Sequence, residues 1–377
     1  MTGPLVGLGP ELTREETERY ARHLMLPSIG ADGQRRLKAA RVLSIGAGGL
    51  GSPSLLYLAA AGVGTLGVVD DDRVDASNLQ RQIIHDTSAI GRPKVASAAQ
   101  RIAEVNPLVT VEQHDTRLTS DNALEILSGY DLVLDGCDNF ATRYLVADAA
   151  EILGLPVVWG SLLREHGQVS VFWSGEGPAY RDLFPEMPDP RDVPSCAEAG
   201  VLGATCAAIG AAMAGEAIKL ITGSGRPLLG RLQVHDALQG TWRELAVRPD
   251  PTRTPVTQLA ESYEFACAPM VHPMISATEL DELLAARDRG EEDFTLLDVR
   301  TQVERDIAQI PGSVLVPSPD ILDGSVTLDR DVRYVVHCQS GMRSARVAEH
   351  LIAQGYAVRD VDGGIVAWQE AQAARVG

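Results

Sequence analysis

Two α/β folds in series are predicted by the sequence: a doubly wound parallel sheet with an antiparallel extension, and then a smaller α/β unit. Apolar strand-like runs alternate with helical segments from Arg41 onward, which is the pattern of a parallel sheet with helices on both faces. Runs with a period of two at 167–173 and 231–247 indicate the antiparallel extension. A stretch with five prolines and little periodicity, 248–273, separates this pattern from a second one.

The elements of the first unit follow one another in a regular order. Polar amphipathic helices within 11–38 precede the strand RVLSIG, a helix at 50–61, the strand TLGVVD and a helix that begins at Lys94. The strand DLVLDG, a helix at 139–153 and the strand PVVWGS complete the parallel part. Alternation of this kind predicts that the strands lie side by side and that the helices cover them.

The remaining elements lie on either side of the proline-rich stretch. A loop rich in Pro, Gly and Asp at 175–200 precedes an Ala/Gly-rich helix at 204–221, and loops of that length are often functional. In the second unit SATELDELLAAR is helical, DFTLLDVR and RYVVHC are strands, and two further helices follow. The predicted boundaries are a first domain at 1–265, a linker at 266–274 and a second domain at 275–377.

Composition narrows the class of protein. The hydrophobic fraction of 45% is ordinary for a globular chain, and the net charge of −18 argues against nucleic acid and anionic membranes as main partners. The N-terminus lacks the basic and apolar regions of a signal peptide, and the most apolar stretches are too short or too broken to cross a bilayer. Five cysteines without a CxxC pair are typical of a reducing compartment, so we expect a cytoplasmic protein.

The first chemical signal is the glycine-rich turn GAGGLG, which follows the strand RVLSI and precedes a helix. Gly46, Gly48 and Gly51 satisfy the dinucleotide-binding pattern, and Asp70 lies about 20 residues further on, where a ribose hydroxyl is read. This pattern alone leaves two interpretations open, a nicotinamide or flavin enzyme and another kind of nucleotide-binding protein.

The residues that follow favour a bound triphosphate. DDDRVDASNLQRQ places Asn78 and Arg81 beside the ribose-reading strand, where a triphosphate needs cations and a nicotinamide does not. Lys94, one of only three lysines in the chain, begins a helix whose N-terminus also favours anions. In DGCDN, Asp138 and Asn139 follow a strand at the sheet edge where ligands bind, and a carboxylate there can hold magnesium.

The second chemical signal is HCQSGMRSA, in which Cys338 begins a glycine-containing loop that leads into a helix. Backbone N–H groups ahead of a helix stabilise a thiolate or a persulfide, and we expect Arg343 to add positive charge. Arg343 is one position too close to the cysteine for a cysteine-dependent phosphatase. The alternative is a buried structural cysteine. The loop after Cys338 consists of Gln339, Ser340, Gly341, Met342, Arg343 and Ser344.

In order along the chain, RYARHLML, GAGGLG, SNLQRQ, GRPK, DNFATRY and SCAEAGVLG resemble the ubiquitin-activating-like enzymes that adenylate sulfur-carrier proteins and have a Rossmann-like fold. The resemblance covers about 11–265. It implies that ATP and the C-terminal carboxylate of a carrier protein form an acyl-adenylate and pyrophosphate. It also implies a homodimer in which Arg22 reaches into the partner's site.

This resemblance assigns roles to the residues of the first site. Gly49 and Asp70 contact the nucleotide, and Asp138, with Asn139 beside it, holds Mg²⁺. The phosphates of ATP are bound by a short run of residues and by the lysine that begins the helix: Ser77, Asn78, Leu79, Gln80, Arg81 and Lys94.

The motifs CQSGMRS, LLDVR and DGGIVAW are similar to those of rhodanese-type sulfurtransferases, over about 275–377. This resemblance implies that Cys338 carries a persulfide. The whole chain resembles adenylyltransferase–sulfurtransferase fusions, in which Cys196 matches a cysteine proposed to take the carrier as a thioester; the alternative is a loop thiol with no essential step. The implied partners are a small ubiquitin-like carrier ending in Gly-Gly and an upstream sulfur donor, either a cysteine desulfurase or thiosulfate.

The sequence departs from the adenylating family at one place. Most relatives bind a structural zinc with two CxxC pairs, but here the positions of the first pair hold Ala179 and Asp182, and the segment 252–256, where the second pair belongs, has no cysteine. Because zinc needs about four nitrogen or sulfur ligands, we expect a zinc-free branch.

Three rival functions stay open. A nicotinamide-dependent oxidoreductase with an accessory rhodanese domain is disfavoured by SNLQRQ and Lys94, and a non-catalytic carrier-binding scaffold by the presence of Lys94, Asp138 and Cys338. An adenylating enzyme of the same fold that acts on tRNA is disfavoured by the net charge of −18 and by the rhodanese resemblance.

Overall fold

The protein consists of two compact units, Met1–Phe265 and Ala266–Gly377. A computed structural model describes residues 3–188, 200–263 and 272–376.

The first unit is built on an eight-stranded sheet of order β3-β2-β1-β4-β5-β6-β7-β8. Neighbours are parallel from β3 to β5 and antiparallel from β5 to β8. Its strands are β1 (Arg41–Ile45), β2 (Thr65–Val69), β3 (Thr110–His114), β4 (Leu132–Asp135), β5 (Val157–Leu163), β6 (His166–Phe172), β7 (Arg231–Asp236) and β8 (Thr241–Ala246). Its described helices are α1 (Arg14–Arg19), α2 (Ala21–Leu24), α3 (Gly30–Ala39), α4 (Gly51–Ala61), α5 (Lys94–Val105), α6 (Ala123–Ser128), α7 (Phe140–Leu153), α8 (Tyr180–Leu183) and α9 (Gly203–Thr222).

Both faces of this sheet are covered, because successive apolar residues of the central strands enter two different cores. Val42 of β1 packs in the core formed with α3, α4, α5 and α9, whereas its neighbour Leu43 packs in the core formed with α6 and α7. Leu132 and Val133 of β4 alternate in the same way. Continuous apolar strands buried on both faces are typical of doubly wound sheets. The predicted fold class is therefore confirmed.

Some elements are not predicted by the sequence pattern. The edge strand β3 has no buried residue, so its sequence TVEQH lacks the apolar run that marks the central strands. The short helix α8 lies inside the stretch predicted as one long loop. Helix α9 is long and apolar enough to cross a membrane by length and composition, but it packs against α4, β5 and β6 as a core helix.

The second unit is built on an all-parallel sheet of order β11-β10-β12-β13-β9. Two hydrophobic cores cover its faces. The two-residue strands are too short to show a period, which is why the sequence does not predict them. The strands are β9 (Met274–Ile275), β10 (Thr295–Asp298), β11 (Val314–Leu315), β12 (Arg333–His337) and β13 (Ala357–Val361). The helices are α10 (Ala277–Asp288), α11 (Gln302–Ile307), α12 (Ser318–Leu322), α13 (Met342–Ala353) and α14 (Gly364–Val376).

Candidate active sites: a nucleotide edge and a thiol loop

The glycine turn GAGGLG lies at the carboxyl edge of the first sheet. Ile45 at the end of β1 pairs with Val69 of β2 on one side and with Asp135 of β4 on the other. The residues that follow these three strands therefore meet at one edge, at the point where the strand order changes direction. Ligands of open α/β sheets bind in this crevice.

Close packing explains the glycines of this turn. Gly46 has φ +91°, which side-chain-bearing residues rarely adopt, and a Cβ on Gly51 would lie 2.1 Å from the Gly46 carbonyl oxygen. A Cβ on Gly49 would lie 3.0 Å from Cys206 Sγ and 3.7 Å from Arg81 Cγ. At Gly48, by contrast, a Cβ would meet only the Gln82 amide, at 3.8 Å. The turn is thus tightly packed below and accessible at Gly48.

Asp70, which follows β2, accepts backbone hydrogen bonds at this edge of the sheet with both carboxylate oxygens. Its Oδ2 accepts a hydrogen bond from the Ala47 N–H at 2.9 Å, and its Oδ1 accepts one from the Asp72 N–H at 3.0 Å. Burial raises the pKa of Asp70, although Lys94 and these hydrogen bonds oppose the shift. Each oxygen keeps a lone pair for a ligand hydroxyl.

Lys94 is the first residue of α5, and its buried side chain extends to the same edge. Its Nζ lies 2.7 Å from Oδ2 of the exposed Asp72, a partner that the sequence does not assign. A bound anion would compete with that carboxylate for the ammonium. Lys94, Asp70 and the glycine turn therefore lie together at one edge of the sheet.

The run from Ser77 to Arg81 forms a turn beside the glycines. Asp75 caps this turn, since its carboxylate accepts from the Ser77 N–H at 2.8 Å and its own N–H donates to Asn78 Oδ1 at 3.1 Å. Arg81 is half-buried and donates to the Ser77 carbonyl at 3.1 Å. Leu79 is half-buried as well, and Gln80 is exposed. The amide oxygen of Asn78 is thus occupied within the turn.

The loop after β4 completes the edge. A Cβ on Gly136 would lie 2.9 Å from Leu50 Cβ, so this loop contacts the glycine turn. Asp138 is exposed there, whereas Asp135 is buried and accepts from the Cys137 N–H at 3.1 Å. Asn139 caps α7 by accepting from the Thr142 N–H at 2.8 Å. Asp138 is therefore the carboxylate of this loop that can take a metal ion.

A buried histidine below the glycine turn was not predicted. His85 Nε2 lies 3.1 Å from the Ala47 carbonyl oxygen, and Nδ1 lies 2.9 Å from Ser97 Oγ. Burial lowers the pKa of His85 to about 4, so the ring is neutral near pH 7 and its N–H donates to Ala47. A lone histidine outside any motif gives no signal that would identify it.

Two residues that the sequence assigns to the adenylating site, Arg22 and Cys196, are not found beside the glycine turn in the described part of the chain. Arg22 is exposed on α2, and within the described part of the chain its guanidinium contacts Met25 Sδ at 3.7 Å. Cys196 falls outside the described residues.

The residues at the positions where relatives carry zinc-binding cysteines form hydrogen bonds and ion pairs in this chain. Ala179 offers no ligand atom, and its N–H donates to Asp182 Oδ2 at 2.7 Å. Asp182 Oδ1 accepts from Arg253 Nε at 2.7 Å, and Arg253 also donates to Glu151 Oε1 at 2.8 Å. The side chains at these positions therefore do not fit a tetrahedral zinc site.

The second site is the loop that leaves β12, the central strand of the second sheet. Cys338 is fully buried, and its Sγ accepts a hydrogen bond from the Gly341 N–H at 3.1 Å. Ser344 Oγ lies 3.5 Å from the same sulfur. Gly341 has φ +97°, which turns the chain into α13. Ser340 and Met342 are exposed on the outside of the loop.

The motif DGGIVAW supports this loop from behind. The Ile365 N–H donates to the Cys338 carbonyl at 2.9 Å, and the Val366 N–H donates to the Gln339 carbonyl at 3.2 Å. A Cβ on Gly364 would lie 2.6 Å from the Cys338 carbonyl oxygen, so a glycine is needed there. Arg300 donates to Gln339 Oε1 at 3.1 Å and fixes the loop from the side.

Arg343 does not present a free positive charge to the sulfur. Its guanidinium donates to both oxygens of Glu304, at 2.9 Å and 2.5 Å. Burial alone would raise the pKa of Glu304, but Arg343 and hydrogen bonds from Thr301 lower it to about 2. The expectation that Arg343 adds net positive charge is thus corrected to a neutral ion pair. His337, the last residue of β12, is fully buried.

Residues 20–256 match the ThiF family, and residues 277–371 match the rhodanese-like domain. The chain therefore belongs to the ThiF family and carries a rhodanese-like domain after its adenylating part. It is an enzyme in which an adenylyltransferase is fused to a sulfurtransferase. Membership of an adenylyltransferase family implies that it uses ATP.

Two relatives illustrate the match. The chain is 50% identical over 377 residues to the probable adenylyltransferase/sulfurtransferase MoeZ of Mycobacterium tuberculosis, covering 97% of this chain and 96% of that one. It is 54% identical over 249 residues to the sulfur carrier protein adenylyltransferase of Thermus thermophilus, covering 65% of this chain and 92% of the relative.

Solved structures share the fold of the first unit. PaaA superimposes with a TM-score of 0.55 at 24% identity, over 64% of this chain and 76% of that one. MccB of E. coli superimposes with a TM-score of 0.55 at 18% identity, over 66% of this chain and 74% of that one. At these identities the likeness concerns the fold alone.

Proposed function

We propose that this enzyme adenylates the C-terminal carboxylate of a small ubiquitin-like sulfur-carrier protein ending in Gly-Gly and converts it to a thiocarboxylate. The observation that carries the proposal is that one chain has both a sheet edge with the glycine turn, Asp70 and Lys94, called here the nucleotide edge, and a loop that encloses the thiol of Cys338. The name of the Thermus thermophilus relative supports a sulfur carrier as the substrate.

In the first step an oxygen of the carrier carboxylate attacks the α-phosphorus of ATP, and the bond to the departing pyrophosphate breaks. Lys94 and Arg81 offset the charge that builds up where the phosphates separate. Gly48 and Gly49 let the backbone approach the nucleotide, and Asp70 accepts from the ribose. Asp138 would hold Mg²⁺, which supplies further charge neutralisation.

In the second step the terminal sulfur of a persulfide on Cys338 attacks the acyl carbon, and AMP leaves. The acyl disulfide that forms is cleaved by a thiol, which gives the carrier thiocarboxylate and a new disulfide. Cys196 is either an earlier acceptor of the carrier as a thioester or a loop thiol with no essential step. The persulfide sulfur comes from a cysteine desulfurase or from thiosulfate.

The test is mass spectrometry of the carrier. Small Gly-Gly proteins that co-purify with the chain are incubated with it, ATP, Mg²⁺ and thiosulfate. The expected product has one oxygen of the C-terminal carboxylate replaced by sulfur. ATP–pyrophosphate exchange that needs tRNA, and that no Gly-Gly protein stimulates, would overturn the proposal in favour of the tRNA-directed alternative.

We also propose a homodimer in which Arg22 enters the partner's nucleotide edge. Arg22 lies in an exposed segment together with Met25 and Leu26, which are 70% and 46% exposed. Arg22→Ala and Asp138→Ala should each lose carrier-dependent exchange, and mixing the two variants should restore part of it, since one site of each mixed dimer is intact. Arg14→Ala, another exposed arginine, serves as the control. If the two variants exchange subunits to form mixed dimers and the mixture stays inactive, this role is contradicted.

We propose that the protein needs no structural zinc because an ion network ties the corresponding segments together. The side chains of Glu151 and Asp182 are only 6% and 4% exposed, and both pair with Arg253. Arg253→Ala should lower the free energy of unfolding by about 3 kcal/mol, because it strands two buried carboxylates. Arg289→Ala, which breaks an exposed pair, should have little effect. Elemental analysis showing zinc in proportion to the chain would contradict the proposal.

We propose a cytoplasmic location, because the proposed chemistry needs a reducing compartment. The described cysteines Cys137, Cys206 and Cys338 are free thiols, and a persulfide carrier needs reduced thiols. Fractionation of cells should recover the chain with soluble cytoplasmic markers, and recovery with an extracytoplasmic fraction would contradict this expectation.

A further inference from the structure

Two buried charged side chains hold the loop between β4 and α7 at the residue before Asp138. The loop spans 136–139 and carries the exposed Asp138 at the nucleotide edge. The Cys137 N–H donates to Asp135 Oδ1 at 3.1 Å, and the Cys137 carbonyl accepts from Arg143 Nη2 at 2.9 Å. Both backbone polar groups of Cys137 are therefore bound, and we call this arrangement the Cys137 clamp.

One arm of the clamp, Arg143, is unusual because an arginine is almost never fully buried unless it is paired. It lies in the first turn of α7 and is only 7% exposed. Its guanidinium carbon lies 5.5 Å from the ring centroid of Phe140 and 5.4 Å from that of Trp159. Aromatic rings at such distances attract a cation. The two rings therefore keep the guanidinium beside the loop, where it meets the Cys137 carbonyl.

The other arm, Asp135, belongs to the central sheet. It is the last residue of β4 and pairs in register with Ile45 of β1 and Trp159 of β5. Its position is thus fixed by a strand on each side, and the residue is 1% exposed. The clamp therefore joins the loop to the sheet through Asp135 and to the covering helix through Arg143.

The carbonyl that Arg143 binds belongs to the same peptide unit as the N–H of Asp138. Fixing this peptide unit restricts the backbone from which the Asp138 side chain extends. An exposed loop that must be ordered when a ligand arrives loses about tenfold in affinity for each residue that is fixed. A loop that is ordered beforehand avoids that loss.

We propose that Arg143 and Asp135 are positioning residues that order the loop from which Asp138 binds Mg²⁺ together with ATP. The inference rests on the proposed adenylating function, in which Asp138 supplies a ligand oxygen to the ion. Both positioning residues are buried, and each acts on Asp138 through the backbone of Cys137.

The affinity for ATP with and without Mg²⁺ tests this role. Isothermal titration calorimetry of the full chain with ATP, without carrier, is carried out in EDTA and in excess Mg²⁺. Asp138→Ala should bind ATP as the wild type does in EDTA and at least tenfold more weakly in Mg²⁺. Arg143→Met should also match the wild type in EDTA, and it should bind about tenfold more weakly in Mg²⁺, because the loop must then be ordered on binding.

A double variant shows whether Arg143 acts through Asp138. Arg143→Met combined with Asp138→Ala should bind ATP in Mg²⁺ no more weakly than Asp138→Ala alone, since no ligand is left to position. Arg143→Lys keeps the positive charge and should recover part of the loss. Equal weakening of Arg143→Met in EDTA and in Mg²⁺ would overturn the inference, because Arg143 would then support the whole edge.

The control for a purely structural effect is Arg181→Met. Arg181 binds the buried carboxylate of Asp148, which lies on the same helix, at 2.6 Å. This variant should lose stability and keep the wild-type affinity for ATP in Mg²⁺. A loss of Mg²⁺-dependent affinity as large as that of Arg143→Met would overturn the role of the clamp.

Alkylation of Cys137 tests the clamp without any ligand and also decides if Arg143→Met does not fold. Iodoacetamide labelling is followed on the Cys137 peptide by mass spectrometry. Asp135→Leu removes the acceptor of the Cys137 N–H and should raise the labelling rate about tenfold. Asp135→Asn keeps an acceptor oxygen and should stay near the wild-type rate. One rate common to the wild type and both variants would overturn the clamp.

The two proposals fail in different ways. Weaker binding of ATP in Mg²⁺ by Asp138→Ala but not by Arg143→Met would overturn the clamp and leave the proposed function standing. Wild-type binding by Asp138→Ala in Mg²⁺ would overturn the magnesium role of Asp138 in the proposed function, and this inference with it.

Discussion

The glycine turn after β1 and the thiol loop after β12 have the same construction and opposite uses. Each leaves the middle of a parallel sheet, contains a glycine with φ near +90°, and leads into a helix. At Gly46–Gly51 the rim carries Lys94 and leaves space at Gly48, whereas at the second loop the chain encloses its own sulfur, Cys338.

The difference between the loops lies in where the anion comes from. Backbone N–H groups at a strand–loop–helix junction attract negative charge in both cases. In the first loop the negative charge arrives with a ligand, which competes with the exposed carboxylate of Asp72 for the ammonium group of Lys94. In the second loop the negative charge develops on a covalently attached sulfur, and nearby arginines are already bound to carboxylates.

The strongest test of this comparison is Cys338→Ala. It should abolish thiocarboxylate formation, because alanine cannot carry a persulfide, and should leave carrier-dependent ATP–pyrophosphate exchange unchanged. Mass spectrometry of the carrier and the exchange assay measure the two outcomes on the same preparation. A thiocarboxylate formed in the absence of this thiol would mean that sulfur reaches the carrier by another route.

The reciprocal test is Lys94→Ala. Removing this charge should lower the exchange rate by roughly 10²–10³-fold, the usual cost of losing a preorganised charge at a transition state. Sulfur transfer from thiosulfate to cyanide should be unaffected. Arg101→Ala, on the exposed face of the same helix, is the control. Exchange near the wild-type rate would refute a phosphate-binding role for Lys94.

A pair of glycine substitutions tests whether the two loops depend on close backbone packing to the same degree. Gly51→Ala would place a Cβ 2.1 Å from the Gly46 oxygen, and Gly364→Ala would place one 2.6 Å from the Cys338 oxygen. Each should cost about 1–3 kcal/mol of stability. We expect Gly51→Ala to impair only exchange and Gly364→Ala to impair only sulfur transfer, as assayed on both activities. Equal loss of both activities in either variant would point to global unfolding.

The last test concerns two buried histidines near the loops, His85 and His337. Burial lowers the pKa of each to about 4, whereas the unfolded chain binds the proton near pH 6.5. Stability should therefore fall as pH drops from 6.5 toward 4, by about 2 kcal/mol per histidine at pH 5.

Urea denaturation at pH 7 and pH 5 measures this dependence. His337→Gln and His85→Gln should each lose less stability between the two pH values than the wild type does. The exposed His166→Gln should behave as the wild type. Identical losses in all four proteins would mean that neither buried ring is neutral in the native state.

Residues in contiguous motifs could be placed from the sequence, and their distant partners could not. The glycine turn and Lys94 follow apolar strands, and the local order of strand, turn and helix indicates their position. The partner of Arg343 is Glu304, 39 residues away, and Arg253 meets Glu151 across 102 residues. No periodicity connects such pairs, because they form only when separate elements pack together.

By itself, the sequence determined the order of the central strands and longer helices of the first unit, the two loops with their glycines, and the positions of Lys94 and Cys338 beside these loops. These follow from local backbone preference and from the burial of apolar strands. Only the tertiary structure decided which charged side chains pair with one another. It paired Arg343 with Glu304, brought Arg253 to Glu151 and Asp182, and placed His272 beside Asp360. Charge pairing depends on distance in space, and folding sets that distance.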